Sequence, residues 1–491
     1  MDVHQARIDA REGRLSIEQV LDLLEAQEHT IRRLTAEIHR LKQRLAPYEP
    51  EIRHEAIPRS PSGDATDAHY ALDAEEKRRR RRRRKKSTGR RPTHLKFADA
   101  QRREDIYPPD VRCSDCQLVR ERAVWRLEDG QAVRVGYRVF RAPGGDEPPI
   151  PGVTPRCEYG IEILVVLAFL VYVIGISLAK ACAVLAFFCQ LALSRSQANA
   201  LLRQLAQHWD KEFDTLGDLL ARAAVVYMDE TGWKIGNAGC SLWTFASELQ
   251  RIFLFGCHKD AATLDTILPP DVFDGIGVSD DAAVYQGRFE RAQKCWAHLL
   301  RKAIRLALLY PRKKSYQQFL DRLLTLYHDA KRVAADQRLG EAGRKQRVAN
   351  LEGQLCVLCK PYWHETTPEM KPHKRDFANL VNELMQRLMD EELFTFVLEP
   401  GVEPTNNFTE RLQRSPAQDR KAGRTSKTAA GAHRRSVIVS VLESLRSNLT
   451  EFTLASVLSE VRRWMDDGIS LFAQQWQAFT AGTTAPMPNT S

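Results

Sequence analysis

Four short apolar runs between residues 223 and 280 constrain the fold more tightly than anything else in this chain. Ala223-Ala-Val-Val-Tyr-Met has the length of a strand and is closed by Asp229, and Ser241-Leu-Trp-Thr-Phe-Ala and Arg251-Ile-Phe-Leu-Phe-Gly follow at turn-separated intervals. Three strands in succession predict a meander. After Asp265-Thr-Ile-Leu-Pro-Pro, read as a helix, Gly275-Ile-Gly-Val-Ser forms a fourth run closed by Asp280. If the first and fourth strands are parallel neighbours, both aspartates emerge at one edge, where open α/β sheets gather ligands. Carboxylates crowded there repel unless a cation binds. Glu230 competes with Asp229 and Asp281 with Asp280, and any one of these acids taken alone reads as a strand end or a helix cap.

A third acid, Glu410, lies within Asn406-Asn-Phe-Thr-Glu-Arg. Three carboxylates from distant segments are the layout of a metal-dependent polynucleotidyl transferase, in which two divalent cations about 4 Å apart clamp the attacking and leaving oxygens of a phosphodiester. The 130 positions separating Asp280 from Glu410 exceed what closing such a core requires. Residues 304–398 are helical in period and rich in Leu, Arg and Lys, so a helical insertion that could clamp DNA is expected. Glu410 is followed by Arg411, Arg414, Arg420, Lys421 and Arg424, cations suited to a backbone phosphate, although a solvated helix face capped by Asn406 and Asn407 fits the same residues.

The charge of +10 is local. Lys77 to Lys96 holds thirteen Lys and Arg and no acid, which leaves −3 for the rest of the 491 residues. A polycation on a near-neutral body reads as a nucleic-acid arm, with a nuclear-import or solubility tag as the alternative. Within it, Ser87-Thr-Gly-Arg-Arg-Pro is similar to arms that lie in A·T-rich minor grooves. The expected DNA contacts are Arg78, Arg79, Arg80, Arg81, Arg82, Arg83, Arg84, Arg90 and Arg91 here, and Arg411, Arg414, Arg420 and Lys421 near Glu410.

Upstream, Ser16-Ile-Glu-Gln reads as a capping box opening a heptad register, with Ile17, Leu24, Ile31, Ile38 and Leu45 at a and Val20, Gln27, Leu34 and Leu41 at d. A parallel coiled-coil dimer is predicted, against an amphipathic helix docked on its own protein; the period does not separate them. Cys113-Ser-Asp-Cys116 has zinc-knuckle spacing but lacks a complete ligand set, with Cys157 and His94 as remote candidates. Cys356-Val-Leu-Cys359 has the same spacing inside a helical pattern, where packing is the better reading. Ten scattered cysteines predict reduced thiols in a cytosol rather than a disulfide framework. Ile163 to Ala179 is uncharged and apolar and, after Lys180, a second apolar run extends to Leu193, yet each piece is at or below the roughly 17 residues needed to span a bilayer, so buried helices are expected rather than a membrane hairpin. The break at Ser194 before a second helix is compatible with helix-turn-helix DNA reading and equally with bundle packing.

Met228-Asp-Glu-Thr-Gly-Trp, Ser279-Asp-Asp-Ala-Ala-Val-Tyr, Cys295-Trp-Ala-His-Leu-Leu-Arg-Lys and Pro404-Thr-Asn-Asn-Phe-Thr-Glu-Arg-Leu-Gln-Arg, with Arg420-Lys421, together resemble the DDE transposases of the insertion sequence 66 family, in order and spacing, over about residues 90–465. The chain departs from that pattern in the missing second half of the knuckle, at Leu300 and at Gln413-Arg-Ser-Pro. The resemblance implies a multidomain α+β protein with a ribonuclease H-like core, a mixed sheet flanked by helices. It implies Asp229, Asp280 and Glu410 as catalytic metal ligands for two Mg²⁺ or Mn²⁺. Cys295, His298, Asn406 and Asn407 would be supporting residues, and zinc at Cys113 and Cys116 is left open. The implied partners are double-stranded DNA, as transposon ends and target, a second copy through the coiled coil, and helper proteins of the element. No membrane is implied, and the implied location is the bacterial cytoplasm, at the nucleoid. A non-catalytic DNA-binding or architectural descendant is the rival.

The expected organisation is a coiled coil at 1–46, a disordered linker with the Arg-rich tract at 47–105, a degenerate knuckle at 106–160 and a helix-turn-helix-like region at 161–215. The core's first part at 216–303 is followed by the insertion at 304–398, the second part with C-terminal helices at 399–465, and a tail at 466–491.

Overall fold

The computed structural model describes residues 91–109, 111–236 and 238–482. The expected coiled coil and Arg78 to Arg90 lie outside these. The linker expected to reach 105 gives way earlier to helix α1 (Thr93–Ala98) and strand β1 (Arg102–Ile106). Strand β1 pairs in parallel with β3 (Gln131–Arg141), which forms a hairpin with β2 (Gln117–Glu128). Asp129 and Gly130, both at positive φ, make the tight turn. Val124, Val135, Tyr137 and Val139 give this three-stranded sheet a small core of its own.

Among the described residues no helix is long and apolar enough to cross a membrane. The stretch beginning at 161 is broken into α2 (Ile161–Ala168), a π-helical turn (Phe169–Val173), and α3 (Leu178–Cys189). Helix α4 (Arg195–Leu220) starts with a capping box, Ser194 and Gln197 satisfying each other's backbone N–H groups. Its apolar stripe, including Leu202, Leu205, Trp209 and Leu216, is buried in the main core, so the helix pair is integral to the larger unit and α4 overruns the expected boundary at 215.

The central sheet has the order β6-β5-β4-β7-β8. Strands β4 (Val225–Ile235), β5 (Ala238–Ala246) and β6 (Arg251–Cys257) form the antiparallel meander, while β7 (Ile276–Ser279) lies parallel to β4 and β8 (Arg291–Lys294) parallel to β7. The helix between β6 and β7 is α5 (Ala261–Asp265); it ends where a helix was expected to begin, because Pro269 and Pro270 cannot continue it. One core holds Val226, Met228, Trp243 and Phe255 against α4, while Tyr227, Ile276 and Val278 pack into a second core made mostly by the insertion.

That insertion comprises α6 (Trp296–Leu309), α7 (Lys314–Ala335), α8 (Glu341–Cys359), α9 (Pro372–Met389) and α10 (Thr395–Leu398). The chain then returns as α11 (Asn407–Leu412) and α12 (Arg414–Lys421), followed by α13 (Ala429–Asn448), α14 (Leu454–Asp467) and α15 (Leu471–Thr480). Phe472 of α15 is fully buried, so the described part of the expected tail contributes a helix that packs on the main core.

Helix α13 seals the sheet's β6 edge with a row of serines. The hydroxyls of Ser444, Ser440 and Ser436 accept the backbone N–H groups of Arg251, Phe253 and Phe255, each at 2.9 Å. Four helical residues advance ~6 Å and two strand residues ~6.8 Å, which is why an i, i+4, i+8 row can serve alternate residues of an edge strand.

Candidate active site

Strand register brings the two aspartates together. The last β4–β7 pair is Tyr227 with Val278, and the two chains leave it in the same direction, Asp229 two residues further along β4 and Asp280 just past the end of β7, close enough for the charge of Asp280 to act on Asp229. Asp229 does not end its strand, as the sequence suggested. Strand β4 continues to Ile235 against β5, and Asp229 lies where β4 outruns β7.

Helix α11 carries the third acid, and the loop that leads into it is hydrogen-bonded to the residues at both strand ends. Asn406 is fully buried; its side-chain amide donates to the Met228 carbonyl at 2.6 Å, and its backbone N–H donates to Cys295 Sγ at 3.1 Å. Cys295 N–H in turn donates to the Ser279 carbonyl at 2.9 Å, and Trp296 N–H to the Pro404 carbonyl at 3.0 Å. These bonds tie the α11 segment to the residues preceding Asp229 and Asp280. Asn406 stands at the N-cap position of α11 but makes no side-chain cap bond, contrary to the capping role read from its place before a helix. Asn407 is the first residue of α11 and is exposed.

The acids sense one another. Burial, followed by the charges of Glu230, Asp280 and Glu410, pushes the Asp229 carboxyl up to about 8. Of the four neighbouring candidates, the two sequence rivals are already matched: Glu230 accepts from the Tyr285 hydroxyl and is paired with Lys259, while Asp281 receives Arg387 at 2.7 Å and Lys302 at 3.7 Å. Asp280 accepts the Ala282 N–H at 3.0 Å, and among the described residues neither Asp229 nor Asp280 has a salt bridge. A half-buried carboxyl that is held protonated by burial and by its acidic neighbours ionises readily once a cation offsets their charge, which fits a hard cation held by oxygen ligands.

Glu410 is held by Arg301 at 3.0 Å and lies 3.8 Å from His298 Nε2. Among the described residues no three His, Cys, Asp or Glu side chains are gathered closely enough to hold a metal. Cys113 and Cys116 thus stand as a pair around an exposed turn, and Cys157 is buried elsewhere. Cys359 packs in the insertion's core, its thiol pushed up to about 12 by burial. Cys295, also raised by burial, is occupied by the Asn406 N–H, and His298 is lowered by burial and by the Arg301 charge.

Of the expected DNA contacts, Arg420 is anchored on β4, donating to Thr231 Oγ1 at 3.0 Å and to the Gly232 carbonyl. Arg91, Arg411, Arg414 and Lys421 are exposed, with Arg91 paired to Asp99. The sequence reading missed Lys294, 1% exposed, whose ammonium donates to Ser279 Oγ at 3.2 Å directly beside Asp280, and Arg387, which reaches the site from the insertion. Position just before the Cys295-to-His298 element was the only local signal for Lys294.

No individually curated protein matches the chain. The family described as Transposase IS66 family matches residues 156–434, more than half of the length and inclusive of β4, β7, the insertion and α11. The chain belongs to the IS66 family of transposases.

Proposed function

We propose that this transposase cuts DNA at the ends of its element and joins them to target DNA, using Asp229, Asp280 and Glu410 as ligands for two divalent cations in a ribonuclease H-like core. The observation that supports the reading is the emergence of Asp229 and Asp280 just beyond the last pair of the parallel strands β4 and β7, with the Glu410 segment tied to the residues before both through Asn406 and Cys295. A sheet of three antiparallel strands extended by two parallel ones supports the fold assignment. When bound, the cations supply Lewis acidity at the phosphodiester and lower the pKa of the attacking water.

The chain's own residues do the rest. Glu230 and Asp281 are neutralised by Lys259 and Arg387, leaving Asp229 and Asp280 to bind cations. Glu410 would be the third residue to hold the cations, and Arg301, no longer paired with it, would offer its guanidinium to a phosphate oxygen. Water attacks phosphorus, the P–O3′ bond breaks and the 3′ oxygen leaves as a hydroxyl after protonation. That hydroxyl then attacks a target phosphodiester, displacing its 3′ oxygen. No covalent protein intermediate is required. The expected DNA-binding tract and dimerising coiled coil would supply affinity and pairing of two ends.

The test is divalent-dependent nicking of plasmid carrying the element's ends. Asp229→Ala protein that melts like the parent is expected to have lost nicking; nicking that survives ends the assignment and favours a DNA-binding protein without this chemistry.

A further inference from the structure

A cavity of about 910 Å³ lies between α4, the π-helical turn and the start of α13, away from the acid cluster. Its lining includes Arg203, Arg424, Lys427, Arg434 and Arg435, with Asp210 as the acid among them. Asp210 is hydrogen-bonded to His433 at 3.0 Å, and Asp419 behind the wall pairs with both Arg424 and Arg435, so the lining keeps a net positive charge.

The walls are built rather than incidental. Arg435 is 6% exposed, stacked over Trp233, Phe255 and Tyr172 at 4.9 to 5.6 Å, and its buried Nε has no hydrogen-bond partner. Arg434 is held at the side by the Tyr172 hydroxyl and the Asn199 carboxamide oxygen, both at 2.9 Å. Tyr172 belongs to the π-helical turn, a feature that is frequent at functional sites. The N-terminus of the 20-residue helix α13 opens here, capped by Thr428 and adding its partial positive charge. Arg203 and Lys427 are exposed and have no salt bridge among the described residues.

We infer that this cavity is a second DNA contact, a cradle for the phosphodiester backbone of the strand that also occupies the acid cluster. It rests on DNA being the substrate. Strand β4 links the two places, since Ile235, six residues beyond Asp229, bridges to Ser426 on the cavity wall. Six residues of strand span ~20 Å, and at ~3.4 Å per step that is about six nucleotides. Arg420, fastened to Thr231 midway, supplies a cation between them.

The experiment compares full-length parent, Arg203→Ala/Lys427→Ala and Arg203→Lys/Lys427→Arg proteins in binding a fluorescent mixed-sequence duplex across a salt series, alongside plasmid nicking. Loss of two phosphate contacts lowers the salt slope by about 2, and the charge-preserving variant restores it. An unchanged slope in a double-alanine protein of normal melting temperature overturns the cradle while leaving the cleavage reading intact. Nicking indifferent to Asp229→Ala, with the slope reduced, overturns cleavage and leaves the cradle. A thermal shift by inorganic phosphate in the parent but not the double-alanine protein, at unchanged slope, assigns the cavity to free phosphate and overturns the DNA assignment.

Discussion

Two places on the central sheet, its β6 edge and the point where β4 and β7 part, treat buried polarity in opposite ways. At the β6 edge, Ser436, Ser440 and Ser444 meet three strand N–H groups, and nearby Arg435 is fixed by Asp419 and aromatic rings. Past the last β4–β7 pair, Asp229 feels the charges of Asp280 and Glu410, and among the described residues neither aspartate has a salt bridge. Matched polarity closes a fold; unmatched charge of one sign marks a place prepared for something the protein must bind.

The sharpest break of that comparison lies within the acid cluster itself. Asp229→Ala and Asp280→Ala are expected to reduce divalent-dependent nicking by at least about 10³-fold, since cation stabilisation of the reacting phosphate is worth several kcal/mol. Glu230→Gln, whose carboxylate is already occupied by Tyr285 and Lys259, should cost no more than about tenfold. Equal losses in plasmid nicking would erase the distinction between matched and unmatched acids.

At the β6 edge, Arg435→Met removes one of the two partners of buried Asp419 and leaves it Arg424 alone. A loss of about 1 to 3 kcal/mol in denaturant unfolding is expected. Ser440→Ala strands the buried Phe253 N–H and should cost about 1 to 3 kcal/mol, with unchanged nicking per folded molecule. A specific-activity loss in Ser440→Ala would show that the two places are not separable.

The smallest effect concerns Arg301, exposed and paired with Glu410. Arg301→Ala removes an interaction worth about 0.2 to 1 kcal/mol, so the divalent concentration for half-maximal nicking should change by less than about fivefold. A change of hundreds-fold would mean that Arg301 acts on substrate as its principal role.

Much of this contrast was legible before any coordinates. The meander, the helical insertion and the break at Ser194 follow from period and turn chemistry, whereas the parallel pairing of the fourth strand with the first entered as a condition that the sheet order then met. The length of β4 did not, because Glu230-Thr-Gly-Trp-Lys is polar and contains Gly, and only pairing with β5 carries it as strand. The cap that was the alternative role for Asn406 is not made, because a rule about neighbours in sequence cannot see Met228, 178 residues away, as the acceptor. The burial of Lys294 and the reach of Arg387 are likewise products of the insertion packing back on the sheet, and the serine row is visible only once α13 is known to lie along β6.

Anomalous scattering from crystals of the full chain grown with Mn²⁺ tests the central claim most directly. The account predicts manganese bound by Asp229 and Asp280, with Glu410 released from Arg301 and joined to them. Well-ordered crystals of nicking-competent protein in which manganese avoids both aspartates, or Glu410 stays on Arg301 while metal binds, would contradict it.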